Sequence, residues 1–307
     1  MGHKSAQRQS DPEGVMTELA AESHRAVRTR TGLMLRYTER NPMMVAGGVI
    51  LVLLVLVALL APWLRTVDPL DLEPAIRLMP PSAEHWFGTD MYGRDSYSRV
   101  IYGSRISLIV GASVALITSV VGLLLGLLSG YLRTLDGVIM RIMDGIMALP
   151  SLLLALSFVA LANASVQNVI VALTIPQAPR VARLVRGVVL SLREEAYVEA
   201  SVALGTRLWR ILLRHILPNA MAPLIVQATF ICAGAILTEA GLSFLGVGTP
   251  PDIPSWGNIM AESGPYVGVA FWLITFPGLF LAVTVLAVNL LGDGLRDTLD
   301  PRLTRRE

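Results

Sequence analysis

The chain is poor in charge, in cysteine and in histidine, and each shortage excludes a class of function. Only 16% of its 307 residues are charged, whereas soluble domains average about 25%. The single cysteine, Cys232, excludes an intramolecular disulfide, and we interpret it as a small apolar packing residue. The four histidines are scattered and lack metal-ligand spacing: His3, His24, His85 and His215. There is no Ser/His/Asp constellation and no Walker-type phosphate loop. We therefore expect no catalysis, cofactor or metal in this chain, and no nucleic-acid partner.

Long apolar runs without charge are present instead. Hydrophobic residues make up 53% of the chain, and the mean hydropathy is +0.60. The runs 43–64, 106–132 and 269–292 each exceed the ~20 residues that cross a bilayer as a helix. The first run starts too late and is too long for a secretory signal peptide, so we interpret it as an anchor. The composition therefore predicts an all-α integral membrane protein rather than a large soluble protein with buried helices.

The middle of the chain has an uncharged stretch of 35 residues at 145–179. At ~1.5 Å per residue, this stretch is too long for one span and too short for two. Two helices joined near 163–167 resolve the mismatch if their far ends run into charged flanks, where arginine can reach the interface. These flanks are Asp136, Arg141 and Asp144 on one side and Arg180, Arg183 and Arg186 on the other. With a fifth span at 220–247, interrupted only by Glu239, the sequence predicts six transmembrane helices.

Positive charge in the loops predicts the orientation. If the N-terminus is inside, twenty of the 25 Lys and Arg residues face the cytoplasm, and the other five lie in one outer loop. Both termini are then cytoplasmic. The predicted segments are a cytoplasmic arm at 1–42, a first span at 43–64, an extracytoplasmic loop at 65–104, a core at 105–292 with the other five spans, and a cytoplasmic tail at 293–307.

Three further features bear on the organisation of the chain. The loop at 65–104 is rich in proline and glycine, and it is either a functional surface or a lid over the helix ends. The segment 248–266 has aromatic residues typical of an interface belt, or it contacts a partner outside the membrane. Three glycines, four residues apart on one helical face, predict close helix packing: Gly122, Gly126 and Gly130.

Residues 194–218, which we call the hairpin, form a polar island between two apolar runs. Gly205 is predicted to cap a helix, because left-handed backbone costs glycine least. Each side of it has an apolar stripe at helical spacing: Tyr197, Ala200 and Leu204 before it, and Leu208, Ile211 and Leu212 after it. Pro218 is expected to restart the chain toward the fifth span. Two short amphipathic helices can bind a partner in water or lie on anionic membrane lipid, and periodicity leaves both open.

The hairpin resembles the EAA signature of bacterial ABC importer permeases. That pattern is Glu-Ala-Ala, three residues, Gly, nine residues and Ile-x-Leu-Pro. This chain has Glu199-Ala200-Ser201, then Gly205 and Leu217-Pro218 at the same spacing. Ser201 replaces the second alanine, and His215 stands where isoleucine is common; both positions vary in that family.

The resemblance extends over nearly the whole chain and is to permeases of dipeptide and oligopeptide importers, of the DppC/OppC kind. The similar segments are 85–95, 98–99, 103–108, Met143-Asp144 with Pro150, 182–187, 239–246, Trp256-Gly257 and 289–303. One departure is at 176–178, where this family often has tryptophan and other bulky residues. The middle of the predicted fourth span is therefore expected to differ in shape.

The resemblance implies a type I ABC importer permease (MetI-like) fold and one transmembrane half of an ATP-driven peptide importer in the bacterial cell membrane. A second, homologous permease would complete the pore. Two cytoplasmic ATPase subunits or domains would bind ATP and Mg²⁺, and an extracytoplasmic binding protein would deliver peptide onto 65–104 and 248–266. The implied ATPase-coupling residues are Glu199, Ala200, Ser201, Leu204, Gly205 and Pro218.

Two polar residues within predicted spans, Glu239 and Asn289, are candidates for the translocation path. An acid in a span usually faces a cavity or a partner, so Glu239 either binds a peptide ammonium group or fixes helix packing. Sister systems of the same architecture import nickel complexes, glutathione or other small solutes. A channel or secondary transporter acting alone would predict an internal repeat, and none is clear here. A membrane scaffold that docks through the hairpin is the remaining alternative.

Overall fold

The computed structural model describes residues 41–64, 66–162 and 164–299. The predicted arm at 1–42 lies outside these ranges apart from its last two residues, and so does the predicted tail beyond residue 299. All regular elements in the described ranges are helical, apart from one antiparallel bridge between Thr89 and Asp95.

Ten α-helices follow one another along the described chain. They are α1 (Pro42–Leu59), α2 (Ser96–Tyr131), α3 (Arg133–Met147), α4 (Ser151–Leu161), α5 (Val166–Arg193), α6 (Ala196–Ala203), α7 (Leu208–Ile211), α8 (Leu217–Phe244), α9 (Trp256–Ser263) and α10 (Trp272–Leu299). A π-helical turn, Leu212–Ile216, joins α7 to α8, and short 3-10 turns occupy Ala61–Trp63, Pro74–Ile76 and Gly264–Tyr266.

Four of the described helices are long and apolar enough to cross a membrane: α1, α2, α10 and the continuous α7–α8 helix Leu208–Phe244. α3 and α4 together qualify as a fifth if they form one span, although they are bent by 86°. α5 has the length of a span at 28 residues. It is not among these spans, because arginines in its second half lower its hydropathy.

Several helices begin or end away from the predicted bounds. α2 begins at Ser96, well before the apolar run, because the Asp95 side chain caps it by accepting a hydrogen bond from the Ser98 amide at 2.8 Å. The predicted third span breaks at 148–150, where Pro150 disfavours helical backbone in the residue before it. α10 continues to Leu299, past the predicted end at 292.

α2 and α5 form the most extensive helix pair, through a seam of small residues. Three glycines of α2 face three valines of α5 in order: Gly122 faces Val181, Gly126 faces Val185 and Gly130 faces Val189. A Cβ atom at Gly126 would lie 2.6 Å from the Cβ of Val185 and 2.7 Å from the carbonyl oxygen of Ala182. Only glycine allows this approach, so the predicted packing role of the stripe is confirmed.

The hairpin lies at one end of the bundle and the loop after α1 at the other. α8 packs beside α2, α5 and α10, and α10 packs against α1. The C-terminal ends of α2 and α5 meet beside the hairpin, where Arg193 donates to the carbonyl of Gly130 at 3.3 Å. We call this the hairpin end. The opposite end, which we call the loop end, holds residues 66–95 and α9.

The loop after α1 packs tightly onto the beginnings of α9 and α10. α9 is itself fixed to α2, because the indole N–H of the fully buried Trp256 donates to the carbonyl of Val100 at 3.1 Å. Phe87 stacks on Phe276 with ring centroids 3.9 Å apart. Gly93 has φ 79°, and a Cβ there would lie 1.9 Å from the carbonyl oxygen of Glu73. The described part of the loop is therefore an ordered layer of the fold.

Candidate functional site

Helix α6 ends in a Schellman cap at Gly205. The amide of Gly205 donates to the carbonyl of Val202 at 2.9 Å, and the amide of Thr206 donates to the carbonyl of Ser201 at 3.1 Å. Gly205 has φ 74°, the left-handed backbone that only glycine adopts without steric cost. The predicted cap is thereby confirmed, and it turns the chain sharply between α6 and α7.

One face of α6 is apolar and exposed. Leu204 is 86% exposed, and Tyr197 and Ala200 are exposed with it, whereas Val198 on the opposite face is fully buried in the core. Glu199 is exposed beside them. Burial of a leucine side chain contributes about 1.5–3 kcal/mol, so this face gains free energy when a partner covers it.

α7 runs into α8 without a break, so the expected restart of the chain at Pro218 is wrong. Pro218 has no amide N–H and cannot donate to the carbonyl of Arg214, one turn earlier. The helix widens to a π turn at this point, as helices do where an α-helical bond is missing. Ile211 and Ile216 remain buried in the core. The second half of the hairpin is thus the beginning of a 37-residue helix rather than a separate amphipathic helix.

Two arginines of α5 hold α3 at the hairpin end. Arg186 binds Asp136 through two hydrogen bonds of 2.6 Å, one from Nε and one from Nη2. Arg183 pairs with Asp144. Bidentate pairing fixes both distance and orientation. The sequence placed these arginines in a charged flank that reaches the interface, and the structure adds a contact within the chain.

Glu239 lies in a buried polar cluster. Its side chain is fully buried, and Oε1 accepts hydrogen bonds from the hydroxyls of Ser243 at 2.8 Å and Thr249 at 3.4 Å. The Thr249 hydroxyl also lies 3.1 Å from the Ser255 hydroxyl and accepts from the Asn258 side-chain amide at 2.9 Å. The second oxygen, Oε2, has no hydrogen-bond partner among the described residues. The acid thereby ties α8 to the segment that leads into α9, which favours its packing role.

Asn289, the other path candidate, is half-buried on α10. A cavity of about 480 Å³ opens between α5, α8 and α10, and its wall includes neither Asn289 nor Glu239. Within the described ranges, no group of three or more His, Cys, Asp or Glu side chains could hold a metal ion.

The loop end contains a buried ion network that the sequence patterns did not indicate. Arg99 donates from Nη1 to Asp90 at 2.7 Å and to Glu262 at 2.8 Å. Arg94 donates from Nε to Asp90 at 2.6 Å and also pairs with Glu262. Arg99 is 1% exposed, and charges this deep need partners. The charges of the two arginines and the two carboxylates cancel, and the network joins the loop and α2 to α9. The charged residues at 90–99 are visible in the sequence, but their partner Glu262 lies more than 160 positions further along the chain.

The fold has a counterpart among solved ABC transporters. A chain of the MetNI methionine ABC transporter, solved in inward-facing conformations, shares the fold. Its TM-score is 0.54 at 21% identity, over 66% of this chain and 96% of that chain.

The family follows from the sequence comparisons. Residues 119–305 match the family described as binding-protein-dependent transport system inner membrane component, and residues 29–81 match the N-terminal TM domain of oligopeptide transport permease C. The chain belongs to this family of inner membrane transport components and is a multi-pass protein of the cytoplasmic membrane.

Curated relatives cover nearly the whole chain. The probable peptide ABC transporter permease protein y4tQ of Sinorhizobium fredii is 54% identical over 91% of this chain and 96% of its own length. The dipeptide transport system permease protein DppC of Alkalihalophilus pseudofirmus is 43% identical over 86% of this chain and 88% of its own. The family resemblance read from the sequence is thereby confirmed.

Proposed function

We propose that this chain is the permease subunit of an ATP-driven importer that takes up di- and oligopeptides. Similarity to relatives named for peptide and dipeptide transport supports the substrate class. The observation that carries the coupling role is α6, a capped helix with an exposed apolar face at the EAA spacing. The chain itself is non-catalytic in this proposal, and ATP and Mg²⁺ belong to two cytoplasmic ATPase subunits or domains.

α6 is the docking helix for an ATPase. Leu204 enters an apolar groove, and Glu199 supplies a polar contact beside it. Ala200 is small, and the Ser201 hydroxyl is turned back to the carbonyl of Tyr197 at 2.8 Å, so the partner can approach α6 closely.

The hairpin transmits the motion of the ATPase into the bundle. The Gly205 turn sets the direction of α6 relative to α7. Because α7 and α8 are one helix with Pro218 inside it, a displacement of the hairpin moves α8 directly. Rigid elements that switch between two packed arrangements are a common form of such transitions.

Six spans with both termini in the cytoplasm complete the topology. α5 is the span of low hydropathy, and its burial against the glycine seam of α2 supports a place inside the bundle. Arginines concentrated at the hairpin end support a cytoplasmic position for that end. The arm at 1–42 and the tail at 293–307 are then cytoplasmic.

The loop end faces outward and receives an extracytoplasmic binding protein loaded with peptide. Residues 65–104 and 248–266 form the docking surface, and the ion network of Asp90, Arg94, Arg99 and Glu262 makes them one unit. A second, homologous permease completes the pore.

Reconstitution tests this function. The chain is expressed with the second permease, the ATPases and the binding protein encoded by neighbouring genes, and uptake of radiolabelled dialanine into proteoliposomes is measured. We expect uptake that requires both ATP and the binding protein. Uptake of glutathione or a nickel complex in place of peptide would overturn the substrate class. Purification without any ATPase, or uptake without ATP, would overturn the permease role.

A further inference from the structure

The cavity of about 480 Å³ lies at the hairpin end, outside the features assigned so far. α8 forms one wall, and α5 and the last turns of α10 form the others. The side chains that determine the chemistry of its wall are those of Leu184, Pro223, Val226, Gln227, Phe230 and Arg296. Its volume falls in the range of about 300–1,000 Å³ that is typical of small-molecule sites.

Two polar side chains point to the chemistry of an occupant. The wall is aliphatic and aromatic except for the carboxamide of Gln227 and the guanidinium of Arg296, and it contains no carboxylate. Gln227 is half-buried in the wall and Arg296 is exposed at its rim, and neither side chain has a hydrogen-bond or ion-pair partner within the described ranges of the chain. An unpaired guanidinium fork matches a carboxylate, which it binds through two parallel hydrogen bonds. The wall therefore suits an anion attached to an apolar body.

Gln227 is the neutral polar side chain of this wall. The Gln227 side chain offers both a donor and an acceptor. A peptide bond presents one N–H and one carbonyl to such groups, whereas a lipid acyl chain presents neither.

We infer that this cavity binds the C-terminal end of a short peptide whose last side chain is apolar. The carboxylate pairs with Arg296, the terminal peptide group bonds Gln227, and the apolar side chain packs against Val226 and Phe230. The inference rests on the proposed function, because it supplies the peptide substrate. In that topology the site is the last contact before release into the cytoplasm.

Equilibrium binding to the purified permease assembly, without binding protein and in phosphatidylcholine nanodiscs, tests the site. The probes are radiolabelled tri-leucine and its C-terminal amide. We expect the free acid to bind at least about tenfold more tightly than the amide, as charge-assisted pairing requires. Because this comparison uses the wild-type chain, it holds even if a variant fails to fold.

Variants of this chain test which residues cause the preference for the free acid over the amide. Arg296→Gln should abolish the acid preference and leave amide binding unchanged, and Arg296→Lys should retain part of it. Gln227→Leu should weaken both probes alike. Arg133→Gln removes an exposed arginine outside the cavity wall and should change nothing.

Equal binding of acid and amide would overturn the inference, and so would an acid preference that survives Arg296→Gln. Displacement of tri-leucine by added phosphatidylglycerol, with Arg296→Gln lowering lipid binding, would make this a lipid site and also overturn it. ATP-dependent uptake by the wild-type assembly is scored separately. Uptake without an acid preference rejects only this site, whereas absence of uptake rejects the proposed function.

Discussion

Substitutions at Gly205 test the hairpin in steps of increasing severity, because they add backbone strain without adding a side-chain clash. Apart from the adjoining residues of the chain, no heavy atom lies within 4 Å of a Cβ placed at this position, so a new side chain meets open space. The only constraint on the residue at this position is the left-handed backbone, with a φ of 74°. For an L-residue the left-handed conformation costs about 1–2 kcal/mol, with asparagine near the low end. Valine is worse than alanine, because its branched Cβ makes a positive φ a true outlier.

Proline is the extreme substitution at this position. Its ring fixes φ near −65°, and it removes the amide that donates to the carbonyl of Val202 at 2.9 Å. We therefore expect the severity to rise in the order Asn, Ala, Val, Pro. A cost of about 1–2 kcal/mol lowers the population of the native turn by a factor of roughly 5–30 relative to its alternatives.

The assay is the number of ATP molecules hydrolysed per peptide imported by the reconstituted complex. This ratio should rise along the series, while membrane insertion stays normal. Gly246→Ala is the matched control, because Gly246 has φ 77°, an open Cβ position and the same cap at the other end of α8. It should leave the ratio unchanged. Wild-type coupling by Gly205→Val, or an equal rise with Gly246→Ala, would refute the coupling role of the turn.

Three further predictions concern the bundle. Gly126→Leu should abolish a folded, detergent-stable chain, since even its Cβ would lie 2.6 Å from the Cβ of Val185. Gly187→Leu is the control on α5, because a Cβ there meets no neighbour within 4 Å, and it should stay folded in size-exclusion chromatography; a folded Gly126→Leu chain would contradict the seam. Glu262→Gln should lower the thermal unfolding midpoint, because loss of one partner from a buried ion pair lowers the free energy of unfolding by about 3 kcal/mol. An unchanged midpoint would contradict the network. Glu239→Gln keeps an oxygen for the Ser243 hydroxyl and should transport peptide like the wild type, whereas loss of uptake with normal folding would favour the path role.

The sequence predictions that the structure confirms depend on interactions between residues close together in the chain. The Gly205 cap depends on backbone geometry within four residues, and the glycine stripe depends on helical spacing alone. Both are therefore visible in a single sequence. The EAA spacing identified the family for the same reason, because the helix and its cap form a continuous segment.

Longer-range features were misjudged or missed. Pro218 was expected to break the chain, but packing of Ile211 and Ile216 in the core keeps the helix continuous and turns the missing bond into a π turn. The third span was expected to be one helix, whereas the chain bends by 86° at the break that contains Pro150. The ion network needed the proximity of Glu262 to Arg99, which no sequence period reveals.

Apolar content and helical spacing in the chain alone were enough to establish a membrane bundle with a capped helix in the hairpin, because burial in lipid and backbone sterics act locally. The tertiary structure alone decided where the polar groups lie. Glu239 is enclosed in a packing cluster, while Gln227 and Arg296 face a shared cavity. Such differences depend on which helices are neighbours, and that is the outcome of packing the whole bundle.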